Sequence, residues 1–317
     1  MRLPPLIQTA CIDVSSWEPD AEYATFPQGA RTKTALMAPD PCPDSVLVPG
    51  KRYLFKESKK SYQDQFWAEI ISYRVGCLMG FEVPPAFAAV NRETGESGAL
   101  IEWFYTDGKE AFVHAGDLLI ALIRPEFDRK KGEYHNMADN IHLMRVLGQQ
   151  GLLKEDWKQW WMNALLFDAL IGNTDRHQDN WGFIISPPNP ARSYRLSPYF
   201  DNGTSLGHER FPSLIRHWTD ADYARYIDKG THHVRRTPDP NSPRPRHLEL
   251  LSILLADWPE TRSDAAARID SLTAIDFREV LSDLSLIELP MPLHPERLDL
   301  VLRLLDLRLR SLKALFT

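Results

Sequence analysis

Residues 172–181 read Gly172-Asn173-Thr174-Asp175-Arg176-His177-Gln178-Asp179-Asn180-Trp181, and Asp201-Asn202-Gly203 begins 26 positions after Asp175. The stretch sets a carboxylate and a carboxamide five residues apart, then a second carboxylate at the head of a glycine turn. A carboxylate such as Asp175 can accept the proton of an attacking hydroxyl. The oxygens of Asn180 and Asp201 suit a hard cation such as Mg²⁺. Gly203 is expected to let the chain turn sharply behind Asp201. These are the side chains that phosphoryl transfer from Mg-ATP requires.

The rest of such a site is expected upstream. Tyr53-Leu54-Phe55-Lys56 reads as a compact strand after the turn Pro49-Gly50, and Lys56 at its end could hold the α/β-phosphates. Phe66, Ile70, Tyr73 and Cys77 recur at helical spacing, predicting a helix from Tyr62 to Met79 that stops at Gly80. Glu69 lies in that helix, 13 residues after Lys56, where the two could pair. The segment Pro27 to Thr34, with Gly29, Ala30, Arg31 and Lys33, is the candidate phosphate-covering loop. Leu100 to Phe104 is the candidate hinge, with Glu102 and Phe104 beside adenine.

Each piece has a plainer reading. Lys56 with Glu69 alone is an ordinary salt bridge, Gly29 a hairpin residue, Asp201-Asn202-Gly203 a common turn composition, and Asn173-Thr174-Asp175 helix-end chemistry. Their joint order is what is specific: loop glycine, strand lysine, helix glutamate, Asp-x4-Asn, strand pair, Asp-x-Gly. His177, with Asp179 and His232-His233, raises a metal-hydrolase reading, but no H-E-x-x-H or similar ligand spacing supports it. His177 is expected instead to support the loop and fix Asp175, and Trp181 to belong to the core.

Composition is compatible with this reading. The chain has 317 residues, 43% hydrophobic and 25% charged, enough for two lobes sharing a cleft. Its formal net charge of −6 gives no global attraction to nucleic acid, so no direct nucleic-acid binding is expected. The three cysteines form no C-x-x-C pair, which favours a reducing compartment. No apolar run approaches the roughly 18 residues a membrane helix needs, so the expected location is cytoplasmic, with secretion as an effector left open.

The organisation is that of an α+β fold with two lobes. A small strand-rich N-lobe is expected over residues 1–105 and a larger helical C-lobe over 106–317. Phe87 to Asn91 and Ala99 to Phe104 read as strands around the turn Glu93 to Gly98. Asp156 reads as the N-cap of a helix running to Leu170, apolar nearly all round and therefore buried. Trp181 to Ile185 and Tyr194 to Phe200 read as a hairpin joined by Ser186 to Pro190, which would bring Asp201 to the 173–180 loop. Residues 207–247 are rich in His, Arg and Pro and predict a long surface loop. Pro295 to Phe316 reads as an amphipathic helix facing the core through Leu298, Val301, Leu302, Leu305, Leu309, Leu312 and Phe316.

The Asp-to-Asn spacing equals that of the protein-kinase loop H-R-D-x-x-x-x-N, and Asp-x-Gly is similar to D-F-G. More specifically, Thr174-Asp175-Arg176-His177-Gln178-Asp179-Asn180 resembles the T-D-x-H-x-x-N form of the HipA-like (HipA/CtkA-type) Ser/Thr kinases. The similarity extends from about Gly29 to the C-terminus. It implies a protein-kinase-like fold, with Asp175 as catalytic base, Asn180 and Asp201 as metal ligands, and Lys56 as phosphate-binding lysine. It makes the Gly29 to Lys33 segment a phosphate loop that moves on autophosphorylation, for which Thr32, Thr34 and Ser58 are candidate sites. It also implies ATP and Mg²⁺ as cofactors, a protein substrate, and an antitoxin-like protein partner. HipA toxins carry an extra N-terminal subdomain that a chain of this length does not accommodate in full. Asp201-Asn202-Gly203 and the Asp-Arg-x-x-Asp-Asn-Trp string also resemble type II phosphatidylinositol 4-kinases, so a lipid kinase stands as an alternative, as does a partner-binding pseudokinase. No Ala-Pro-Glu segment follows Asp201.

Overall fold

The computed structural model describes residues 2–21, 23, 32–106, 108–129, 134–186 and 193–317. In chain order its strands are β1 (Ile12–Asp13), β2 (Glu18–Pro19), β3 (Lys33–Met37), β4 (Arg52–Glu57), β5 (Ala86–Asn91), β6 (Glu96–Glu102), β7 (Ala111–His114), β8 (Gly182–Ser186) and β9 (Ser193–Leu196). Its α-helices are α1 (Trp67–Met79), α2 (Ala115–Leu118), α3 (Met137–Gln149), α4 (Trp157–Ile171), α5 (Pro212–Ile215), α6 (Asp220–Asp228), α7 (His247–Asp257), α8 (Arg262–Asp270), α9 (Ala274–Leu281) and α10 (Pro295–Phe316). The chain divides into two compact units. One comprises Met1–Trp103, Gly203–Thr219 and Leu272–Asp306; the other comprises Phe104–Asn202, Asp220–Ser271 and Leu307–Thr317.

The first unit is built on a sheet of order β1-β5-β6-β4-β3-β2, antiparallel except where β1 runs parallel to β5. β5 is buried along almost its whole length, as expected of an apolar strand covered on both faces. A core of Trp17, Leu36, Leu47, Tyr53, Phe55, Phe87 and Leu100 gathers on this sheet. α1 lies against β5, β6 and α9 and is buried nearly throughout, its charged Glu69 and Arg74 included. Buried charges must be paired. Glu69 meets Lys56, and Arg74 donates to Asp283 at 3.2 Å. Gly80 ends the helix in the left-handed conformation (φ 70°), its N–H reaching the carbonyls of Cys77 and Gly76.

α1 starts at Trp67 rather than at Tyr62. Residues 59–66 form successive tight turns, because their polar groups are engaged elsewhere. The Phe66 N–H donates to Ser58 Oγ, Gln65 Nε2 donates to the Gly203 carbonyl, and the Asp64 carboxylate accepts from Arg297 at 2.7 Å.

The second unit is organised around α4. Asp156 caps its start, accepting from the N–H groups of Lys158 and Gln159, and Gly172 (φ 68°) closes its end. Trp161, Met162, Leu165, Leu166, Phe167 and Leu170 are buried, and α7 and α8 lie against the helix. Each such side chain removed from water stabilises the fold by roughly 1.5–3 kcal/mol. An antiparallel sheet of order β7-β8-β9 completes the unit. β8 is as long as the sequence suggests but begins one residue later, β9 ends at Leu196 rather than Phe200, and residues 187–190 of the predicted turn lie outside the described residues. Trp181 is fully buried against Trp160, Trp161 and Phe183.

Residues 207–247 are not a structureless loop. They contain α5 and α6, and the stretch before α7 is tied down. His232 N–H donates to the Pro245 carbonyl, Arg235 N–H to the His135 carbonyl, and Met137 N–H to the Arg235 carbonyl. Buried His232 and Val234 anchor this stretch, which the polar composition concealed. α10 spans Pro295–Phe316 as its periodicity predicts, but Leu300 and Leu304 are buried as well, while Leu298 and Phe316 are only half-buried.

Candidate active site

In the first unit, β4 and α1 bring Lys56 and Glu69 together. Lys56 Nζ donates to Glu69 Oε1 at 2.6 Å, and each residue is 4% exposed. Lys33 sits in β3 directly opposite Lys56. Gly29, Ala30 and Arg31 lie outside the described residues. Glu102 ends β6; its N–H donates to the Pro85 carbonyl and its carboxylate pairs with Lys51. The boundary between the units falls between Trp103 and Phe104. Phe104 therefore belongs to the second unit, where its ring stacks on Phe200 with centroids 5.0 Å apart and meets Phe112 edge-on.

In the second unit, the loop after α4 is held by side chains rather than by regular structure. Asn173 turns the chain: its Oδ1 accepts the Asp175 N–H at 3.0 Å while its Nδ2 donates to Asp168 Oδ1 at 3.1 Å. The Asp175 carbonyl accepts from the His177 N–H and from Asn180 Nδ2, the latter at 2.6 Å. That leaves Asn180 Oδ1 as the acceptor end of the carboxamide. His177 Nδ1 accepts the Asp179 N–H at 3.1 Å, so this imidazole braces the loop's far side, and its main chain, rather than its ring, bonds to Asp175. Asp179 itself is tied to Arg129 at 2.8 Å, and the Asp179 carbonyl meets His114 Nδ1.

Arg176 joins the loop to the Asp201 turn. Its Nε and Nη2 grip the Asp168 carboxylate at 2.7 and 2.6 Å. Its Nη1 donates to the carbonyls of Asn180 and Phe200 at 3.2 and 3.3 Å, and Nη2 also donates to Asn202 Oδ1 at 2.9 Å. One guanidinium thus fixes Asn180 together with the residues on both sides of Asp201. Burial pushes the Asp168 carboxyl above its ordinary range, against the opposing charge and hydrogen bonds of Arg176 and the hydrogen bond from Asn173.

The left-handed residue of this turn is Asp201 itself (φ 56°), not Gly203. A non-glycine residue pays on the order of 1 kcal/mol there, and Asp and Asn tolerate it best. The second bracing point is the end of α4. Arg308 donates to the Ile171 carbonyl at 3.2 Å, and His247 Nε2 meets the Asn173 carbonyl at 3.0 Å.

Arg176 and Asp168 carry no role in the sequence reading, although a signal existed. Asp168 is the lone carboxylate within a largely apolar helix, and Arg176 stands eight residues on. Among the described residues no three His, Cys, Asp or Glu side chains cluster so as to hold a metal ion by themselves.

Residues 25–247 match the model of the HipA-like C-terminal domain. The chain belongs to the HipA-like C-terminal domain family. A curated relative, the serine/threonine-protein kinase CtkA of Helicobacter pylori, is 30% identical over 77 residues, which are 24% of this chain; the match spans only 22% of that relative's length. The crystal structure of the H. pylori proinflammatory kinase CtkA superposes with a TM-score of 0.72 at 17% identity, covering 96% of this chain and 97% of that one. HipA in the Shewanella oneidensis complex of HipA, HipB and operator DNA superposes with a TM-score of 0.51 at 15% identity, covering 99% of this chain and 72% of the other. At these identities the superpositions establish a shared fold. It is the α+β fold of the CtkA kinase, and it agrees with the architecture expected from the motif order. Among the described residues no helix is long and apolar enough to cross a membrane.

Proposed function

We propose that this chain is a serine/threonine protein kinase of the HipA type, using Mg-ATP. The observation that carries the reading is the Arg176 network, which ties Asn180 to the residues on both sides of Asp201 within the second unit, in the loop where Asn173 holds the Asp175 N–H. Membership of the HipA-like family and the kinase relative support it. Bound Mg-ATP would supply the transferable phosphoryl group and a counter-charge for it. Asn180 Oδ1 and the Asp201 carboxylate would hold the cation, and Lys56, oriented by Glu69, the phosphates. Asp175 would orient the acceptor hydroxyl and take its proton. The segment Pro27 to Thr34 would cover the phosphates, and the strand end at Glu102 to Phe104 would flank adenine.

Autophosphorylation is part of the reading, on Thr32, Thr34 or Ser58, as is an antitoxin-like protein partner, by analogy with the HipA–HipB complex. The test is incubation with labelled ATP and Mg²⁺ of the wild type beside Asp175→Gln, followed by mass spectrometry. Phosphate on Ser or Thr in the wild type alone is expected. ATP binding without transfer to any protein would favour a lipid acceptor, and absence of ATP binding would overturn the kinase reading.

A further inference from the structure

The second unit holds an open cavity of about 380 Å³ on the far side of the residues that follow α4. Its walls come from α4, α6, the start of α7 and the C-terminal end of α10, and Ala169, Ile227, Leu248 and Leu312 give it aliphatic sides. Sites that hold small organic molecules span roughly 300–1,000 Å³, so the volume suits a compact ligand.

Charges at its rim are matched to one another. Arg246 Nη1 pairs with Asp228 at 2.7 Å, and Glu249 accepts the Arg246 N–H at 3.1 Å as part of the capping box of α7. Arg308 also borders the cavity, with its guanidinium donating to the Ile171 carbonyl at 3.2 Å and packed against Gly172. A charged ligand would compete with the rim pairs, whereas a neutral one leaves them intact.

The uncharged polar atoms of the lining are acceptors. His247 is 6% exposed and meets the Asn173 carbonyl through Nε2 at 3.0 Å. A carbonyl only accepts, so the proton of the neutral ring sits on Nε2 and Nδ1 is a bare acceptor. Burial, with Arg308 nearby, keeps the ring neutral by pushing it down to about 4. Among the described residues nothing bonds to that Nδ1. Its Nδ1–Cε1 edge faces Gly230, which lines the cavity and has no side chain to cover it; a Cβ there would stand 3.1 Å from Nδ1. Ser311, on the same wall, donates its hydroxyl to the Leu307 carbonyl at 3.1 Å and keeps its oxygen lone pairs.

The same imidazole reaches the loop. Its Nε2–H holds the Asn173 carbonyl, and the Asn173 side chain holds the Asp175 N–H at 3.0 Å. A donor bound at Nδ1 draws electron density from the ring and makes Nε2–H a stronger donor, because linked hydrogen bonds polarise one another.

We propose that this cavity is a regulatory site for a small neutral ring compound bearing an N–H or O–H donor, which His247 receives at Nδ1 and transmits to Asp175 through Asn173. Binding is independent of the kinase reading, and only its effect on phosphotransfer rests on that reading.

The test uses indole and benzofuran, bicyclic compounds of equal size of which only indole has an N–H. Titration calorimetry on the full chain compares wild type with Gly230→Ala, which sets a methyl against Nδ1, and with Leu248→Trp, which fills the rim. Ile275→Ala in the first unit is the control, and circular dichroism checks that each variant is folded. Indole is expected to bind with a Kd on the order of 0.1–1 mM, ordinary for a ligand of its size. Benzofuran should bind about five- to tenfold more weakly, the worth of one net hydrogen bond. Each cavity variant should weaken indole by about fivefold or more, and Ile275→Ala should leave it unchanged. Saturating indole should shift the nitrogen-15 amide signal of Asp175 and change autophosphorylation by about twofold or more, in wild type and not in Gly230→Ala. No binding of indole, equal affinity for both compounds, affinity that survives both cavity variants, or an Asp175 amide that stays still at saturation overturns the site. Phosphotransfer absent with and without indole overturns the kinase reading, and the calorimetry and the amide shift still decide the cavity.

Discussion

Replacing Arg176 tests whether one buried guanidinium holds the loop. Arg176 is 3% exposed and Asp168 is fully buried, so the pair has left water and depends on its internal bonds. Arg176→Met orphans the Asp168 carboxylate; removing one partner of a buried pair costs about 3–5 kcal/mol. Arg176→Lys keeps the charge but has no planar fork. It cannot serve Asp168 bidentately and still reach the Asn180 and Phe200 carbonyls and Asn202. Losing two charge-assisted bonds at ~1.5–3 kcal/mol each, with partial compensation, puts Arg176→Lys at roughly 2–4 kcal/mol. In a chain of this size the Met variant should melt on the order of 10 °C lower. Urea unfolding of wild type, Arg176→Lys, Arg176→Met, Asp168→Leu and Asp168→Leu/Arg176→Met measures this directly. The double variant removes the orphaned charge and should recover more than half of the loss. Phosphotransfer by Arg176→Lys well below its melting point should still fall about a hundredfold, because a displacement near 1 Å at Asn180 or Asp201 is enough for that. Arg176→Lys within about 1 kcal/mol of wild type, together with strictly additive losses in the double variant, would refute the network as the loop's support.

Other perturbations separate chemistry from architecture. Lys56→Met removes the cationic half of the buried Lys56–Glu69 pair, so ATP-dependent transfer should vanish and urea stability drop by about 3–5 kcal/mol. Gly172→Ala must adopt φ 68° and drive its methyl into the Arg308 guanidinium; a loss of about 2–3 kcal/mol is expected by calorimetry. His247 is buried, faces Arg308 and is pushed down to about 4, opposed only by its bond to the Asn173 carbonyl. The unfolded chain takes up that proton near pH 6.5 and the folded one only near pH 4. This contribution to stability is therefore complete above pH 6.5 and is lost as pH falls toward 4, at about 1.4 kcal/mol per unit. Urea midpoints at pH 7.5 and 5 should converge in His247→Gln relative to wild type.

Much of the local structure was legible because its causes are local. The capped, largely apolar α4 and the full extent of α10 follow from periodicity and a capping Asp156, and the β5–β6 hairpin from its turn residues, although β6 already begins at Glu96, inside the expected turn, and ends at Glu102. The Lys56–Glu69 pair was legible because strand end and helix face are set by short-range spacing. What escaped was decided at long range. α1 begins late because Asp64 is drawn to Arg297, 233 residues away. The 231–246 stretch is ordered by His135 and Asn136, about a hundred residues upstream. Residues 203–219 and 272–306 join the first unit, which no periodicity within those segments encodes.

The motif also shows why residue types overstate chemistry. Of the polar side chains in 173–180, those of Asn173, Arg176, Gln178 and Asp179 donate to or accept from other parts of the second unit. They replace the backbone ladder that an irregular loop lacks, and buried polar groups without such partners would cost about 1–3 kcal/mol each. The pattern therefore persists only where the surrounding helix and turn supply Asp168, Arg129 and Asn202 as partners. Asn173 is the sharpest case. Its carboxamide joins Asp168 to the Asp175 N–H, so Asn173→Ala should lower both stability and transfer, whereas Asp175→Asn should lower transfer alone. If Asn173→Ala kept full activity while destabilising the fold, the placement of Asp175 would have to come from the His177 and Asn180 bonds to its carbonyl instead.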